Sequence, residues 1–168
     1  MGYIFYLIKI PVVLRHIFAI VLGLLLILFV YGGAKMIHLF LMPMGVWLIM
    51  KYAPRHRVGL FSFLYTMGYL SFIHIHNMYY GKRAFSFLDF AGWNMDLSTT
   101  LMYVVIKLTM LACNYEDGGA TGDRAAVLIP YQQKLKLTEM PSLLEFWSYI
   151  LCYSSCVCGP AFEFLHYK

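Results

Sequence analysis

The chain has 168 residues, of which 61% are hydrophobic and 12% charged, against roughly 25% charged residues in a soluble domain. Together with a mean hydropathy of +0.69, this composition excludes an ordinary soluble domain and predicts an integral membrane protein. The net charge of +5 fits basic loops beside a membrane. It does not indicate nucleic-acid binding, because the basic residues form no stripe along a polar surface.

The apolar segments predict an all-α fold, a polytopic transmembrane helical bundle in a single domain, because they are too long for barrel strands. Residues 12–31 form the first predicted span. Pro11 can start this helix and the Gly32–Gly33 pair can end it. A signal peptide is the alternative, but no small-residue cleavage site follows the apolar run, so we favour a retained helix.

The second apolar segment, residues 36–50, is about 22 Å long if it is fully helical. It also contains Pro43. We therefore expect a short, tilted or re-entrant segment rather than a full crossing. The basic stretch 51–57 leads into the next predicted span, residues 59–78.

Residues 97–113 form the next predicted span, which contains an intramembrane charge. A polar stripe recurs at the helical period through this region and past its end, and its members are Asp96, Thr100, Tyr103, Lys107 and Asn114. A lysine near mid-membrane costs about 2.5–3.5 kcal/mol on insertion scales. It should therefore face other helices, a partner charge or water. The alternative is a lysine that snorkels along its own helix to the nearer interface.

A long polar loop, residues 114–140, includes Asp117 and separates this span from the last one. The last predicted span, residues 142–158, has Glu145 and Tyr149 on its more polar face. Helices joined by one loop are usually neighbours, so we expect Lys107 and Glu145 to pair. We also expect the stretch 51–57 and the polar loop to lie on one face of the membrane.

Cysteine and histidine spacing predicts no metal site. The four cysteines lie in or beside apolar runs, where buried free thiols are the usual state. Cys156 and Cys158 are two residues apart, and the sequence has no second Cys or His pair at a spacing typical of zinc sites. His74 and His76 would point in different directions on a helix, so we interpret them as interfacial residues.

Two stretches of the chain contain distinctive motifs. Residues 95–118 contain Asp-aliphatic-Ser, then Met, Lys-Leu-Thr and aromatic-x-Asp-Gly; residues 140–167 contain Pro-Ser-Leu-Leu-Glu followed by Gly-Pro-x-aromatic-Glu. In content, order and spacing this pattern resembles the lysophospholipid acyltransferases of the membrane-bound O-acyltransferase superfamily. The second stretch is the more specific of the two. The resemblance covers nearly the whole chain, but only the N-terminal part of a family member.

The resemblance implies transfer of an acyl chain from acyl-CoA to a lysophospholipid in the endoplasmic reticulum membrane, with acyl-CoA as co-substrate and no bound cofactor. The family's catalytic histidine lies downstream of the Gly-Pro region, so we assign no catalytic residue here and expect the isolated chain to be inactive. We expect certain residues to line a substrate tunnel or its polar wall. They are Asp96, Thr100, Tyr103, Lys107, Asn114, Asp117, Glu145, Tyr149, Gly159 and Pro160.

Two other functional classes fit the residues alone. In a transporter or channel component, Lys107 and Glu145 would line a polar path, and a helix broken at Pro43 would suit it. In a non-catalytic membrane scaffold, the same stripes would serve hydrogen bonding between helices.

Overall fold

The computed structural model describes residues 11–31, 36–80, 97–120, 128–153, 159 and 161–167. Every regular element within these ranges is helical, which confirms the all-α fold. The helices are α1 (Val12–Tyr31), α2 (Met36–Tyr52), α3 (Val58–Tyr80), α4 (Leu97–Asp117), α5 (Pro130–Leu135), α6 (Leu143–Ile150) and α7 (Phe164–Tyr167). A short 3-10 helix, Arg55–Arg57, leads into α3.

Three of the described helices, α1, α3 and α4, are long and apolar enough to cross a bilayer, which agrees with an integral membrane protein. The bounds of α1 match the predicted first span. Helix α2 is shorter and holds Pro43 in its interior. That α2 is a short, tilted or re-entrant segment rather than a full crossing stays a prediction.

Helices α3 and α4 form the most closely packed pair of the bundle. The side of α3 that is buried has small residues, with Ser62 and Thr66 fully buried and Gly59 one turn earlier. Small residues let two helix backbones approach closely inside a membrane. Leu101 and Leu108 of α4, both fully buried, belong to the same core.

Helix α1 packs against α6 through a glycine. A Cβ built on Gly23 would lie 1.8 Å from the backbone oxygen of Leu151. No other residue type fits this contact without moving one of the two backbones. Gly23 therefore fixes how closely α1 approaches the carboxyl end of α6.

The last predicted span, residues 142–158, begins with α6, and this helix ends at Ile150. Its start is as expected: Ser142 is the N-cap, and its hydroxyl accepts from the Glu145 amide. At its end, the Tyr149 carbonyl accepts from the Lys107 ammonium at 2.9 Å, while the Leu151 carbonyl lies against Gly23. The Lys107 contact thus satisfies a carbonyl that a longer helix would have used internally. Residues 154–158 lie outside the described ranges.

The predicted boundary between residues 97–113 and the polar loop also shifts. Helix α4 continues to Asp117 and ends where two glycines follow, with the Gly118 amide donating to the Asn114 carbonyl at 3.1 Å. A Cβ on Gly118 would lie 1.8 Å from the Leu137 oxygen, so the returning chain passes directly over this helix end. The polar loop itself contains α5.

Arg55 joins the two loops that were expected to share a face. Its guanidinium donates to the carbonyls of Leu137 at 2.8 Å and Thr138 at 2.7 Å, and its Nε donates to the Tyr115 carbonyl at 3.2 Å. The guanidinium also lies 4.4 Å from the centre of the Tyr115 ring. The stretch 51–57 and the polar loop therefore meet at one end of the bundle, as predicted.

Replacing Arg55 by Lys should destabilise the folded protein by about 1–3 kcal/mol, because an ammonium cannot reproduce the planar fork that reaches several carbonyls. Thermal unfolding in detergent measures the loss. Arg57→Lys, at an exposed position of the same turn, is the matched control. Equal melting temperatures for the two variants would show that the Arg55 contacts contribute no net stability.

Candidate functional site: a buried lysine junction

The polar stripe of α4 faces the protein interior. Thr100 and Lys107 are fully buried, and Asn114 is 8% exposed. A lysine that snorkelled along its own helix would leave its ammonium at the interface, so that alternative is wrong. The prediction that Lys107 faces other helices is confirmed.

Lys107 sits in an aromatic enclosure at the carboxyl end of α6. Its Nζ donates to the Tyr149 carbonyl at 2.9 Å and lies 5.2, 4.6 and 4.5 Å from the ring centres of Tyr103, Tyr149 and Phe162. A cation is favourable here for two reasons. The last carbonyls of a helix carry partial negative charge, and ring faces attract cations most strongly where water is excluded.

Tyr149 connects this enclosure to the C-terminal segment. It is fully buried, and its hydroxyl donates to the Phe162 carbonyl at 2.7 Å. Its ring meets those of Phe162 and Phe164 edge-on, at centroid separations of 5.7 and 5.4 Å. Lys107, Tyr103, Tyr149 and Phe162 therefore form one unit, which we call the lysine junction.

A second buried contact links α4 to the same C-terminal segment. Asn114 Nδ2 donates to Glu163 Oε2 at 2.7 Å, and the Asn114 carbonyl accepts from the Leu137 amide at 2.8 Å. Glu163 is only 7% exposed, yet it was not among the predicted site residues. The available signal was its place in the Gly-Pro-x-aromatic-Glu motif, since helical periodicity does not connect residue 163 with α4.

Sequence periodicity also missed a polar contact between α1 and α6. The Ser148 hydroxyl lies 2.8 Å from His16 Nδ1 and 2.9 Å from the Glu145 carbonyl. Both contacts are satisfied when His16 Nδ1 carries the proton and Ser148 donates to Glu145. Tyr167 approaches the same imidazole nitrogen at 3.4 Å, so the ends of α1, α6 and α7 meet here.

Lys107 and Glu145 contact opposite ends of α6. The Glu145 carboxylate accepts from the Ser142 amide at 3.1 Å and completes the cap at the start of α6, while Lys107 holds the carbonyl of Tyr149. Ser142 and Tyr149 are about 10 Å apart along a helix axis. These two contacts lie at opposite ends of one helix, and neither is the direct Lys107–Glu145 pair that the sequence predicted.

The remaining predicted residues are scattered. Thr100 hydrogen-bonds to the hydroxyl of Tyr31 on α1, Gly159 is half-buried, and Asp117 lines an open groove of about 670 Å³ where α3 begins and α4 ends. Asp96 and Pro160 lie outside the described residues. The structure therefore brings together Tyr103, Lys107 and Tyr149 and places Thr100 and Asn114 on the same face of α4. Glu145 contacts the other end of α6, and Asp117 lies at the groove.

No protein-family model matches the chain. Individual relatives do match along most of it. A human protein named membrane-bound glycerophospholipid O-acyltransferase 1 is 33% identical over 153 residues, which are 91% of this chain and 29% of the relative. Lysophospholipid acyltransferase 6 of Drosophila melanogaster is 30% identical over 152 residues, covering 90% of this chain and 20% of the relative.

A plant relative shows a similar identity and coverage. Lysophospholipid acyltransferase 1 of Arabidopsis thaliana is 30% identical over 155 residues, covering 91% of this chain and 31% of the relative. The chain therefore spans less than a third of the length of these curated relatives. By this similarity along about nine tenths of its length, the chain resembles part of the membrane-bound glycerophospholipid and lysophospholipid O-acyltransferases.

Proposed function

We propose that the chain forms part of the membrane domain of an enzyme that transfers an acyl chain from acyl-CoA to a lysophospholipid in the endoplasmic reticulum membrane. One observation carries this proposal: 30–33% identity over about nine tenths of the chain to proteins named as lysophospholipid acyltransferases or membrane-bound glycerophospholipid O-acyltransferases. Because the chain covers less than a third of each relative, the activity is proposed for the complete protein.

The reaction needs polar space inside the bilayer. The hydroxyl oxygen of the lysophospholipid attacks the thioester carbonyl, a base takes the hydroxyl proton, and the CoA thiol leaves. Both substrates carry long acyl chains, so helices must wall a path in which polar groups stay in place. The buried stripe of α4, with Thr100, Tyr103 and Lys107, places polar groups at intramembrane positions next to such a path.

Within that path we assign the lysine junction a positioning role. Its ammonium is fully buried between the backbone carbonyl of Tyr149 and three aromatic rings. It therefore holds α6 and the segment around Phe162 in place instead of contacting substrate. The wall surface itself would come from residues beside the junction. Rigid placement of such a wall matters because small misplacements of reacting groups reduce rates steeply.

Microsomes from cells that express the complete reading frame test the proposal. With radiolabelled oleoyl-CoA and a panel of lysophospholipids that differ in headgroup, we expect phospholipid formation severalfold above that of vector controls. The signal should depend on both substrates. Expression at a normal level without extra phospholipid for any headgroup would contradict the proposed activity.

A further inference from the structure

The open groove of about 670 Å³ lies where the 3-10 helix enters α3 and α4 ends. Its size is in the range of small-molecule and headgroup sites, roughly 300–1,000 Å³. The lining has two chemical zones. Arg57, Glu116 and Asp117 are charged, whereas Leu60 and Phe63 are apolar.

The apolar zone faces outward from the bundle. Leu60 is 55% exposed and Phe63 is 44% exposed, one turn apart on α3. Both belong to one of the helices that can cross a bilayer, so this exposed surface fits hydrocarbon. The charged zone sits at the end of the same helix, which is where a membrane-spanning helix meets the headgroup layer.

The charged zone contains both signs in fixed positions. Glu116 is held by the amide of Gly59, which donates to its Oε2 at 2.9 Å. A Cβ on Gly59 would lie 2.9 Å from that oxygen and 3.1 Å from the Cys113 sulfur, so the glycine keeps this wall open. Arg57 is exposed beside it and offers a planar donor set that matches phosphate.

The groove also holds an unsatisfied donor. Thr109 Oγ1 is buried and has no hydrogen-bond partner within the part of the chain that the structure describes, and Thr109 lines the groove. Buried hydroxyls are nearly always paired. A ligand with ester or phosphate oxygens would provide the missing acceptor.

We propose that this groove binds one zwitterionic glycerophospholipid from the surrounding membrane. Arg57 takes the phosphate, Glu116 and Asp117 take the ammonium group, Thr109 donates to an oxygen of the lipid, and the acyl chain follows Leu60 and Phe63. An anionic headgroup without an ammonium would place its phosphate beside Glu116 and Asp117 with no cation of its own, so the carboxylates favour phosphatidylcholine or phosphatidylethanolamine. The proposal stands apart from acyl transfer, and its test does not measure that activity.

Cys113 provides the readout, because it lines the groove and its side chain is exposed. The complete protein in detergent is treated with a maleimide, and alkylation of the Cys113 peptide is followed by mass spectrometry. Phosphatidylcholine in mixed micelles should slow Cys113 alkylation severalfold. Phosphatidylglycerol with the same acyl chains should not.

Two variants define the contacts. Arg57→Gln removes the phosphate ligand, and Thr109→Val removes the hydroxyl at nearly constant volume; each should abolish most of the protection by phosphatidylcholine. Lys134→Gln, at an exposed position of α5 outside the groove lining, should retain full protection. Melting temperatures confirm that the variants are folded.

Three results would overturn the proposal. Equal protection by phosphatidylglycerol would show a site for phosphate or apolar chains alone. Unchanged protection in both Arg57→Gln and Thr109→Val would place the lipid elsewhere. A Cys113 that is unreactive without added lipid, even at an alkaline pH that ionises the thiol, would show that other parts of the complete protein cover the groove.

Discussion

Replacing Gly23 with Ala should destabilise the protein by about 3 kcal/mol or more, the upper end of the range for overpacking. The added Cβ would lie 1.8 Å from the Leu151 oxygen and 2.9 Å from the Leu151 carbonyl carbon. These are backbone atoms, so no side-chain rotation relieves the clash, and α1 must move away from α6. Folded yield and melting temperature in detergent, measured by fluorescence-detected size exclusion, report the loss.

Gly68→Ala is the matched control, because nothing lies within 4 Å of a Cβ built on Gly68. It makes the same chemical change inside another membrane-length helix, α3. Alanine favours a helix over glycine by about 0.8–1.0 kcal/mol, so Gly68→Ala should be neutral or slightly stabilising. Wild-type stability of Gly23→Ala would mean that α1 does not approach α6 as closely as described.

Lys107→Met should cost about 1–3 kcal/mol, the typical penalty for a buried acceptor left without its donor. The Tyr149 carbonyl loses the ammonium at 2.9 Å, and the faces of Tyr103 and Phe162 lose their cation. Part of this loss is offset, because the variant no longer has to bury a charged ammonium group. Thermal unfolding measures the difference, with Lys134→Met at an exposed position as control. A Lys107→Met variant as stable as the wild type would show that the junction adds no net stability.

Because Lys107 and Glu145 contact opposite ends of α6, we expect their substitutions to act independently in the double variant Lys107→Met, Glu145→Ala. Groups more than about 7–10 Å apart lose stability additively within about 0.5 kcal/mol, so the double variant should lose the sum of the single losses. A double variant that recovers part of the loss would instead reveal the direct ion pair that the sequence suggested.

The membrane helices could be predicted where the controlling signals are local. Pro11 and the Gly32–Gly33 pair flank residues 12–31 in the sequence, and the predicted span there matches α1. A long apolar run predicts α3. The inward orientation of Lys107 followed from the cost of exposing a charge to lipid. In each case the relevant physics lies in one segment and its solvent, so no knowledge of neighbouring helices was needed.

The end of α6 could not be predicted in this way. Apart from Ser154 and Ser155, residues 151–158 are largely apolar, and they contain no charge, proline or glycine, so local signals favour a longer helix. The contacts at the end of α6 come from Lys107, more than 40 positions away, and from Gly23 on α1. Glu163 was missed for the same reason, since its partner Asn114 is 49 positions away and only tertiary structure brings the two together.

The most direct test of the proposed function is the stoichiometry of the reaction in a defined membrane. The complete protein is purified and reconstituted into liposomes that contain a lysophospholipid, and acyl-CoA is added. Free CoA thiol and newly formed phospholipid are then measured in the same samples. We expect one thiol released for each phospholipid formed, and no release without lysophospholipid. Thiol release without phospholipid, or solute flux without thiol release, would contradict an acyltransferase.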